Sequence, residues 1–357
     1  MSARRVSRGH GLALTVVAFL AACQPSLTES PSATGAATGP ATPAATEGLS
    51  PAATDLLPPS GRLAFDRYEG STEGRWLGLF VLDTANAVRQ VPLALEGEGA
   101  GPAWSPDGAR LLVNLSLASG QGRPGIIDPT GASYLAVNVA GLDGEIACTD
   151  WSPDGALVIC SVSSHDPTRD GIYLVHADGT EPVRLTTSPF HDTVGATGEC
   201  GGGDNRPVFS PDGTEFAFIR QRCGAGPDPS SDETGAIEIA NIDGSGLREL
   251  VPQGGVFTHL GGRLAWAPSG GLIAYADRDR GLATVDTHGG GVRLIDLGSN
   301  PRVHGVLGAA WAPDAGWLAV STFAENGVGN LFIARPDGTD ITEVPDTTGA
   351  VSVDWGP

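Results

Sequence analysis

Short apolar runs recur along the chain, and each of them follows a polar turn. The runs are rich in Leu, Val, Ile and Phe and are too short for helices, which is typical of buried strands. In the turn, Pro presets the first position, Asp bonds its own backbone and Gly takes a positive φ. The pattern therefore predicts a series of strand–turn–strand hairpins. The runs are Leu111–Val113, Leu157–Ile159, Phe216–Ile219, Leu272–Tyr275 and Trp317–Val320.

The turn belongs to an internal repeat of the form Trp-Ser-Pro-Asp-Gly. Its copies begin at Trp104, Trp151, Phe209, Trp266 and Trp311. A second hairpin block, mostly with an Asp-Gly turn, accompanies them. Two hairpins per repeat make four strands, which is the content of a propeller blade. The second blocks span Phe80–Leu93, Ile172–Leu185, Ile237–Leu250, Ala283–Ile295 and Leu331–Val344.

The two ends of the repeat region complement each other. Val351–Pro357 carries the start of a motif, and Pro59–Phe65 carries its remainder. We expect the C-terminal strand to pair with the first blade and close the ring, which leaves no open sheet edge. The sequence thus predicts an all-β fold, a six-bladed β-propeller of four-stranded antiparallel blades.

These motifs resemble the TolB-like, WD-repeat-like six-bladed β-propeller family, whose hallmarks are Trp-Ser-Pro-Asp-Gly and Asp-Gly-Thr turns. The resemblance covers residues 59–357 and departs from the pattern at Phe209, Ser269 and Ala315. It implies the fold and leaves several functions open. Members of the family serve as periplasmic partners of other proteins, as gates on serine peptidases, or as sugar-acid lyases.

The N-terminal region is typical of an exported lipoprotein. Arginines precede an apolar stretch, Gly11–Leu20, that is too short to span a membrane. Leu-Ala-Ala-Cys at 20–23 resembles the bacterial lipobox, which predicts a signal peptide over 1–22 and lipidation of Cys23. The alternative is an ordinary secretory signal. Residues 23–58, rich in Ala, Pro, Ser and Thr, are expected to form a flexible tether of about 30 Å.

Composition narrows the possible chemistry. The formal net charge is −20, and the chain contains no lysine. This excludes a Schiff-base lysine, a P-loop lysine and a Ser-Lys dyad. An acidic surface also repels phosphate backbones and anionic lipids. We therefore expect no nucleic-acid partner, and membrane contact through the N-terminal lipid only.

Four cysteines downstream of Cys23 flank two predicted hairpins. If Trp151 faces Leu157 across its turn, Cys148 lies opposite Cys160. This register places both thiols within disulfide reach in an oxidising compartment.

The next hairpin gives the same result. If Phe209 faces Thr214, Cys200 lies opposite Cys223. We therefore expect two disulfides, the alternative being four free buried thiols. A zinc site is disfavoured because these cysteines form no Cys-x-x-Cys pair.

The short turns fall on one face of the predicted propeller and the long connections on the other. Long loops on a rigid scaffold are where binding residues concentrate. We expect the channel mouth and this long-loop face to bind the ligand. The candidate residues are Asp143, His191, Arg206, Arg220, His259, Arg302 and His304.

Two of these histidines repeat in register. His259 and His304 each lie seven residues before a motif tryptophan, and Asp143 adjoins the equivalent Gly144. Two histidines and a carboxylate form a possible divalent-metal set. The metal-dependent propeller lyases that this fold resembles use a similar axial arrangement. Duplication of a solvated loop histidine explains the same pattern without a metal.

The sequence favours a cell-envelope lipoprotein whose monomeric propeller binds a protein, peptide or envelope polymer without catalysis and without a cofactor. It would be anchored to the cell membrane or outer membrane and face the periplasm or the exterior. The alternative is a metal-dependent lyase or hydrolase acting on a glycan at the channel mouth. No Gly-x-Ser-x-Gly elbow and no His-Glu-x-x-His motif is present.

Overall fold

The computed structural model describes most of the chain from residue 61 onward. The described residues are 61–70, 74–82, 88–91, 98–116, 122–164, 166–188, 203–221, 234–258, 262–279, 281–298, 305–324 and 327–357. Cys23 and the predicted signal peptide and tether lie outside them. Within these ranges, no helix is long and apolar enough to cross a membrane.

The described strands form six four-stranded antiparallel sheets, which confirms the predicted architecture. In chain order the strands are β1 (Arg62–Tyr68), β2 (Trp76–Leu82) and β3 (Val88–Val91), then β4 (Glu98–Trp104), β5 (Leu111–Ser116), β6 (Gly122–Ile127) and β7 (Tyr134–Ala136), then β8 (Glu145–Trp151), β9 (Leu157–Ser163), β10 (Gly171–His176) and β11 (Val183–Arg184). They continue as β12 (Gly203–Phe209), β13 (Glu215–Gln221), β14 (Thr234–Asn241) and β15 (Arg248–Phe257), then β16 (Ala265–Trp266), β17 (Leu272–Ala276), β18 (Leu282–Asp286) and β19 (Val292–Ile295), then β20 (Gly305–Trp311), β21 (Leu318–Ala324), β22 (Gly327–Ala334) and β23 (Thr342–Glu343), with β24 (Ala350–Gly356) last. A 3-10 turn, Pro167–Arg169, lies between β9 and β10.

Blade 1 combines the two ends of the folded chain. Its sheet has the order β24-β1-β2-β3, and Trp355 lies opposite Leu63 in the antiparallel ladder. Blades 2 to 6 begin with β4, β8, β12, β16 and β20, and each contacts its neighbours in the ring. The expected pairing of the C-terminal strand with the first blade is therefore present.

The motif tryptophans pack between blades. Trp151 and Trp311 are almost fully buried. The indole Nε1 of Trp151 donates a hydrogen bond to the carbonyl of Ala103, and that of Trp311 to the carbonyl of Ala265. Each tryptophan thus joins its own blade to the inner strand of the preceding blade, and an indole N–H usually needs such a partner when buried.

The Ser-Pro-Asp-Gly turn is built from short-range hydrogen bonds. The Ser152 hydroxyl donates to Asp154 at 2.6 Å and accepts the backbone N–H of Leu157 at 2.9 Å. The serine bond holds the pKa of the Asp154 carboxyl below its usual value. The same bonds recur at Ser105 and Ser210. They explain why the turn repeats as a unit.

The predicted register of the cysteine hairpin was wrong at the turn and right at the cysteines. Trp151 pairs with Val158, not with Leu157. A bulge between Cys148 and Asp150 then shifts the ladder by one residue, so that Cys148 does face Cys160. In the next hairpin Phe209 pairs with Phe216, not with Thr214. Cys200 and Cys223 lie outside the described residues, so the second disulfide stays a prediction.

Candidate functional site in the central channel

Two aspartates on inner strands bind the backbone of the following blade. Each lies one residue before the motif aromatic. Asp354 accepts the backbone N–H of Trp104 at 2.7 Å, and Asp150 accepts that of Phe209 at 2.9 Å. The equivalent positions in the other four blades carry apolar residues, namely Ala103, Val208, Ala265 and Ala310.

Arg263 reaches these two aspartates from the far side of the ring. It precedes β16 in blade 5, which lies opposite blade 2. Its Nη1 donates to the carbonyl of Pro102 in blade 2 at 2.8 Å and lies 3.3 Å from Asp354 Oδ1. Its Nη2 lies 3.5 Å from Asp150 Oδ1. The side chain therefore spans the channel and joins blades 1, 2, 3 and 5.

The cluster of Arg263, Asp150 and Asp354 carries one positive and two negative formal charges. Burial raises the pKa of Asp150 to about 6, while the nearby Arg263 opposes this shift and Asp354 adds to it. One carboxylate of the cluster therefore titrates close to neutral pH. An arginine between two carboxylates leaves one negative charge only partly compensated.

Arg206, a predicted binding residue, lies on β12 in the inner layer of blade 4, not in a loop. Its Nη1 donates to the carbonyl of Gly262 in blade 5 at 3.0 Å. Burial lowers the pKa of the guanidinium to about 10. Its backbone has a φ of 52°, an uncommon conformation for a residue other than glycine.

Arg220 was also expected in a long loop, and this placement was wrong, since it is a buried residue of β13. Its Nε and Nη2 bind both carboxylate oxygens of Asp204, at 2.7 and 2.8 Å. Its Nη1 binds Glu238 at 3.0 Å. Burial lowers the pKa of Arg220, but the bonds and charges of Asp204 and Glu238 outweigh burial and raise it. Thr186 of blade 3 donates to Asp204 as well, so the ion pairs of Arg220 within blade 4 are hydrogen-bonded to the neighbouring blade.

Asp66 is an almost fully buried carboxyl on β1. One oxygen accepts the backbone N–H of Ser352 at 2.7 Å. The other oxygen has no hydrogen-bond partner among the described residues. Burial raises the pKa of Asp66 to about 7, against the opposing effect of its backbone hydrogen bonds.

The structure places Asp143 just before β8, where it accepts a hydrogen bond from the Ser164 hydroxyl at 2.7 Å. The described residues hold no group of three His, Cys, Asp or Glu side chains suited to a metal ion. The metal set of His259, His304 and Asp143 stays a prediction. His191, His259, Arg302 and His304 lie outside the described residues.

A disulfide joins Cys148 and Cys160, as predicted. Both residues are fully buried in the apolar cluster between blades 2 and 3. Disulfides persist in oxidising compartments and are rare in the cytosol. This bond therefore favours export of the protein.

The residues that span the channel were not predicted from the sequence. Asp150 and Asp354 lie directly before a motif tryptophan, where the other repeats have apolar residues. This departure from the repeat could have identified them as functional candidates. Arg263 and Arg206 share a position three residues before the motif aromatic. The sequence indicates the repeat position but not the blade that each side chain reaches.

Comparison with solved structures supports the propeller fold. No protein-family model matches the chain, and no curated protein does so either. Among solved structures, TolB from Acinetobacter baumannii shares 20 % identity at a TM-score of 0.59, over 84 % of this chain and 67 % of that one. Putative TolB from Agrobacterium tumefaciens shares 19 % identity at a TM-score of 0.56, over 84 % of this chain and 99 % of that one. The fold is that of a TolB-like six-bladed β-propeller.

The chain also matches part of a larger solved structure. The puromycin hydrolase S511A mutant complexed with PGG shares 16 % identity at a TM-score of 0.50, over 82 % of this chain and 47 % of that one. At these identities the likeness concerns the fold alone.

Proposed function

We propose that this TolB-like propeller is a non-catalytic scaffold of the cell envelope that binds a protein, a peptide or an envelope polymer on its long-loop face. The observation that carries the proposal is the span of Arg263 across the channel to Pro102, Asp150 and Asp354. The arginine and its partners join four blades, and the arginine offsets one of the two negative charges. They stiffen the ring from within, which suits a rigid platform that presents loops.

The proposed location rests on two features. The Cys148–Cys160 disulfide supports an exported protein. The lipobox-like residues before Cys23 support attachment through a lipid on that cysteine, with residues 23–58 as the tether. Fractionation tests the attachment, since a Cys23→Ser variant should leave the membrane fraction while retaining its fold. A variant that stays membrane-bound would contradict lipid anchoring.

Binding on the long-loop face is tested by site-specific photo-cross-linking in the producing cell. The photoreactive residue replaces Thr168 or Arg278, which are exposed beside the loops. Matched control positions are Glu181 and Leu247, which are exposed near the short turns. We expect a discrete cross-linked species from the first pair only. Equal labelling from both pairs, or none from either, would contradict the proposal.

The same purified protein is analysed for bound metal. A stoichiometric divalent metal that is lost in a His259→Ala, His304→Ala double variant would replace the scaffold proposal by the catalytic alternative. We expect no such metal.

A further inference from the structure

Arg206 and Arg220 lie on the first and second strands of blade 4, and Arg263 lies just before the first strand of blade 5; two of these three arginines have acidic partners. Arg220 binds Asp204 and Glu238, and Arg263 lies between Asp150 and Asp354. Arg206 differs from both. Among the described residues, no carboxylate lies within ion-pair distance of its guanidinium, and burial alone accounts for the lowering of its pKa. Partial burial of a cation without a counterion costs desolvation free energy, so an arginine at position 206 needs an explanation.

The backbone of Arg206 is held in place from both sides. The residue lies in a bulge of β12, between Asn205 and Val208, with a positive φ. The Thr149 hydroxyl of blade 3 donates to the carbonyl of Pro207 at 2.6 Å. The Arg206 side chain bonds Gly262 of blade 5. A positive φ costs a residue other than glycine about 1 kcal/mol or more and persists only where surrounding contacts hold it. Such residues are frequent at ligand-binding sites.

The free edge of the guanidinium has a defined chemistry. Nη1 is committed to the carbonyl of Gly262, whereas Nε and Nη2 have no hydrogen-bond partner among the described residues. The Nε–Nη2 edge presents two parallel N–H donors, which match the two oxygens of a carboxylate. Arg220 shows this same side-on geometry, with its Nε and Nη2 on the two oxygens of Asp204.

We propose that Arg206 is a carboxylate-binding residue of the channel and that it receives a single carboxylate of the bound partner, from a chain terminus or an acidic side chain. This proposal rests on the proposed scaffold function and names the ligand chemistry of its channel. A monoanionic carboxylate fits better than a phosphate group. The protein carries a net charge of −20, and the two acidic residues beside Arg263 disfavour a dianion in the same channel.

The test uses acetate as the probe and arginine side-chain NMR as the readout. The exported Cys23→Ser protein is labelled with nitrogen-15 arginine, and the Nε–Hε signal of Arg206 is identified by its loss in Arg206→Gln. Sodium acetate is titrated against sodium chloride at equal ionic strength. We expect a saturable shift of the Arg206 signal with a dissociation constant on the order of millimolar, in keeping with one charge-assisted bidentate pair. The signal of Arg220, whose donors are occupied, serves as the internal control and should not move.

Three outcomes overturn the proposal. The Arg206 signal stays unchanged with acetate, or it responds equally to chloride, or phosphate at pH 7 shifts it at lower concentration than acetate does. An Arg206→Gly variant checks the fold, because glycine tolerates the positive φ, and it should unfold at an unchanged or higher temperature.

The outcomes for Arg206 and for the scaffold are separable. Acetate binding without partner cross-links from Thr168 or Arg278 would refute the scaffold and retain the carboxylate site. Cross-links that persist at wild-type yield in Arg206→Gln, together with an absence of acetate binding, would refute the carboxylate site alone.

Discussion

The guanidinium of Arg263 lies 3.3 Å from the carboxylate of Asp354, which places blade 5 in direct contact with the strand that closes the ring. The same Asp354 accepts the backbone N–H of Trp104 in blade 2. The Asp354 carboxylate thus connects blades 1, 2 and 5 through side-chain contacts that are not part of any strand ladder. Loss of Arg263 should therefore destabilise the closure of the ring.

We expect Arg263→Met to lower the free energy of unfolding by about 3 kcal/mol, because it leaves two largely buried carboxylates without their cation. Urea denaturation at pH 7.5 measures the change. The matched control is Arg75→Met, which removes an exposed pair with Glu69 and should cost less than about 1 kcal/mol. An equal cost for the two variants would show that the channel cluster is energetically unimportant.

The buried Asp66 predicts a pH dependence of stability. Its pKa is about 7 in the folded protein and about 4 in the unfolded chain, so the folded state binds its proton more tightly. Stability should then fall as pH rises from about 4 to 7, by up to about 1.4 kcal/mol per pH unit. Asp66→Asn removes this titration and should flatten the decline, as measured by urea denaturation between pH 5 and 8.

The exposed Asp128 serves as a control, because its pKa is shifted in the opposite direction from that of Asp66. Hydrogen bonds from Thr130 and Ser133 lower the pKa of Asp128, so its stabilising effect is present near neutral pH and disappears in acid. Asp128→Asn should therefore alter the pH dependence of stability only below about pH 4, and not between pH 5 and 8. If Asp66→Asn retains the wild-type slope between pH 5 and 8, Asp66 does not titrate as the structure implies.

Ala315 occupies the turn position that is glycine in the other motif copies, and it has a φ of 57°. We expect Ala315→Gly to stabilise the protein by about 1 kcal/mol, because glycine has no Cβ to clash in the left-handed region. Gly270 holds the same turn position in blade 5 with a φ of 83°, and no described atom lies within 4 Å of the point where a Cβ would stand. Gly270→Ala should cost a similar amount, and thermal unfolding of the two variants should shift in opposite directions. Shifts of the same sign would contradict the argument.

The disulfide should contribute measurably to stability. Cys148 and Cys160 are separated by 12 positions, and closing a loop of this size is worth about 3 kcal/mol. We expect the Cys148→Ala, Cys160→Ala double variant to lose that amount in urea denaturation. Wild-type protein unfolded with a reductant should lose at least that amount, and a further response of the double variant to the reductant would report the predicted Cys200–Cys223 disulfide. Unchanged stability of the double variant would contradict the argument.

The repeat could be found in the sequence because each blade rebuilds the same local chemistry. Ser152, Asp154 and the turn backbone bond one another within six residues, so the motif carries its own structure wherever it occurs. The match between the two chain ends likewise predicted the β24–β1 pair. Turn and strand preferences are local properties, and they suffice for the number and kind of blades.

The cysteine hairpin shows what local patterns miss. The bulge between Cys148 and Asp150 aligns Cys148 with Cys160, and no local sequence pattern indicates it. Arg206 and Arg220 were expected in loops because bulged and polar strand ends resemble loops in sequence.

Local patterns in the chain were enough to specify the six blades and the closure between the chain ends. The tertiary structure was needed to show that Arg263 crosses the channel, that Arg220 is enclosed by Asp204 and Glu238 of its own blade, and that Arg206 lacks an acidic partner among the described residues. The difference lies in the range of the interactions. Hydrogen bonds within a turn depend on residues a few positions apart, whereas charges in the channel meet across blades that are distant in sequence and are brought together only when the ring closes.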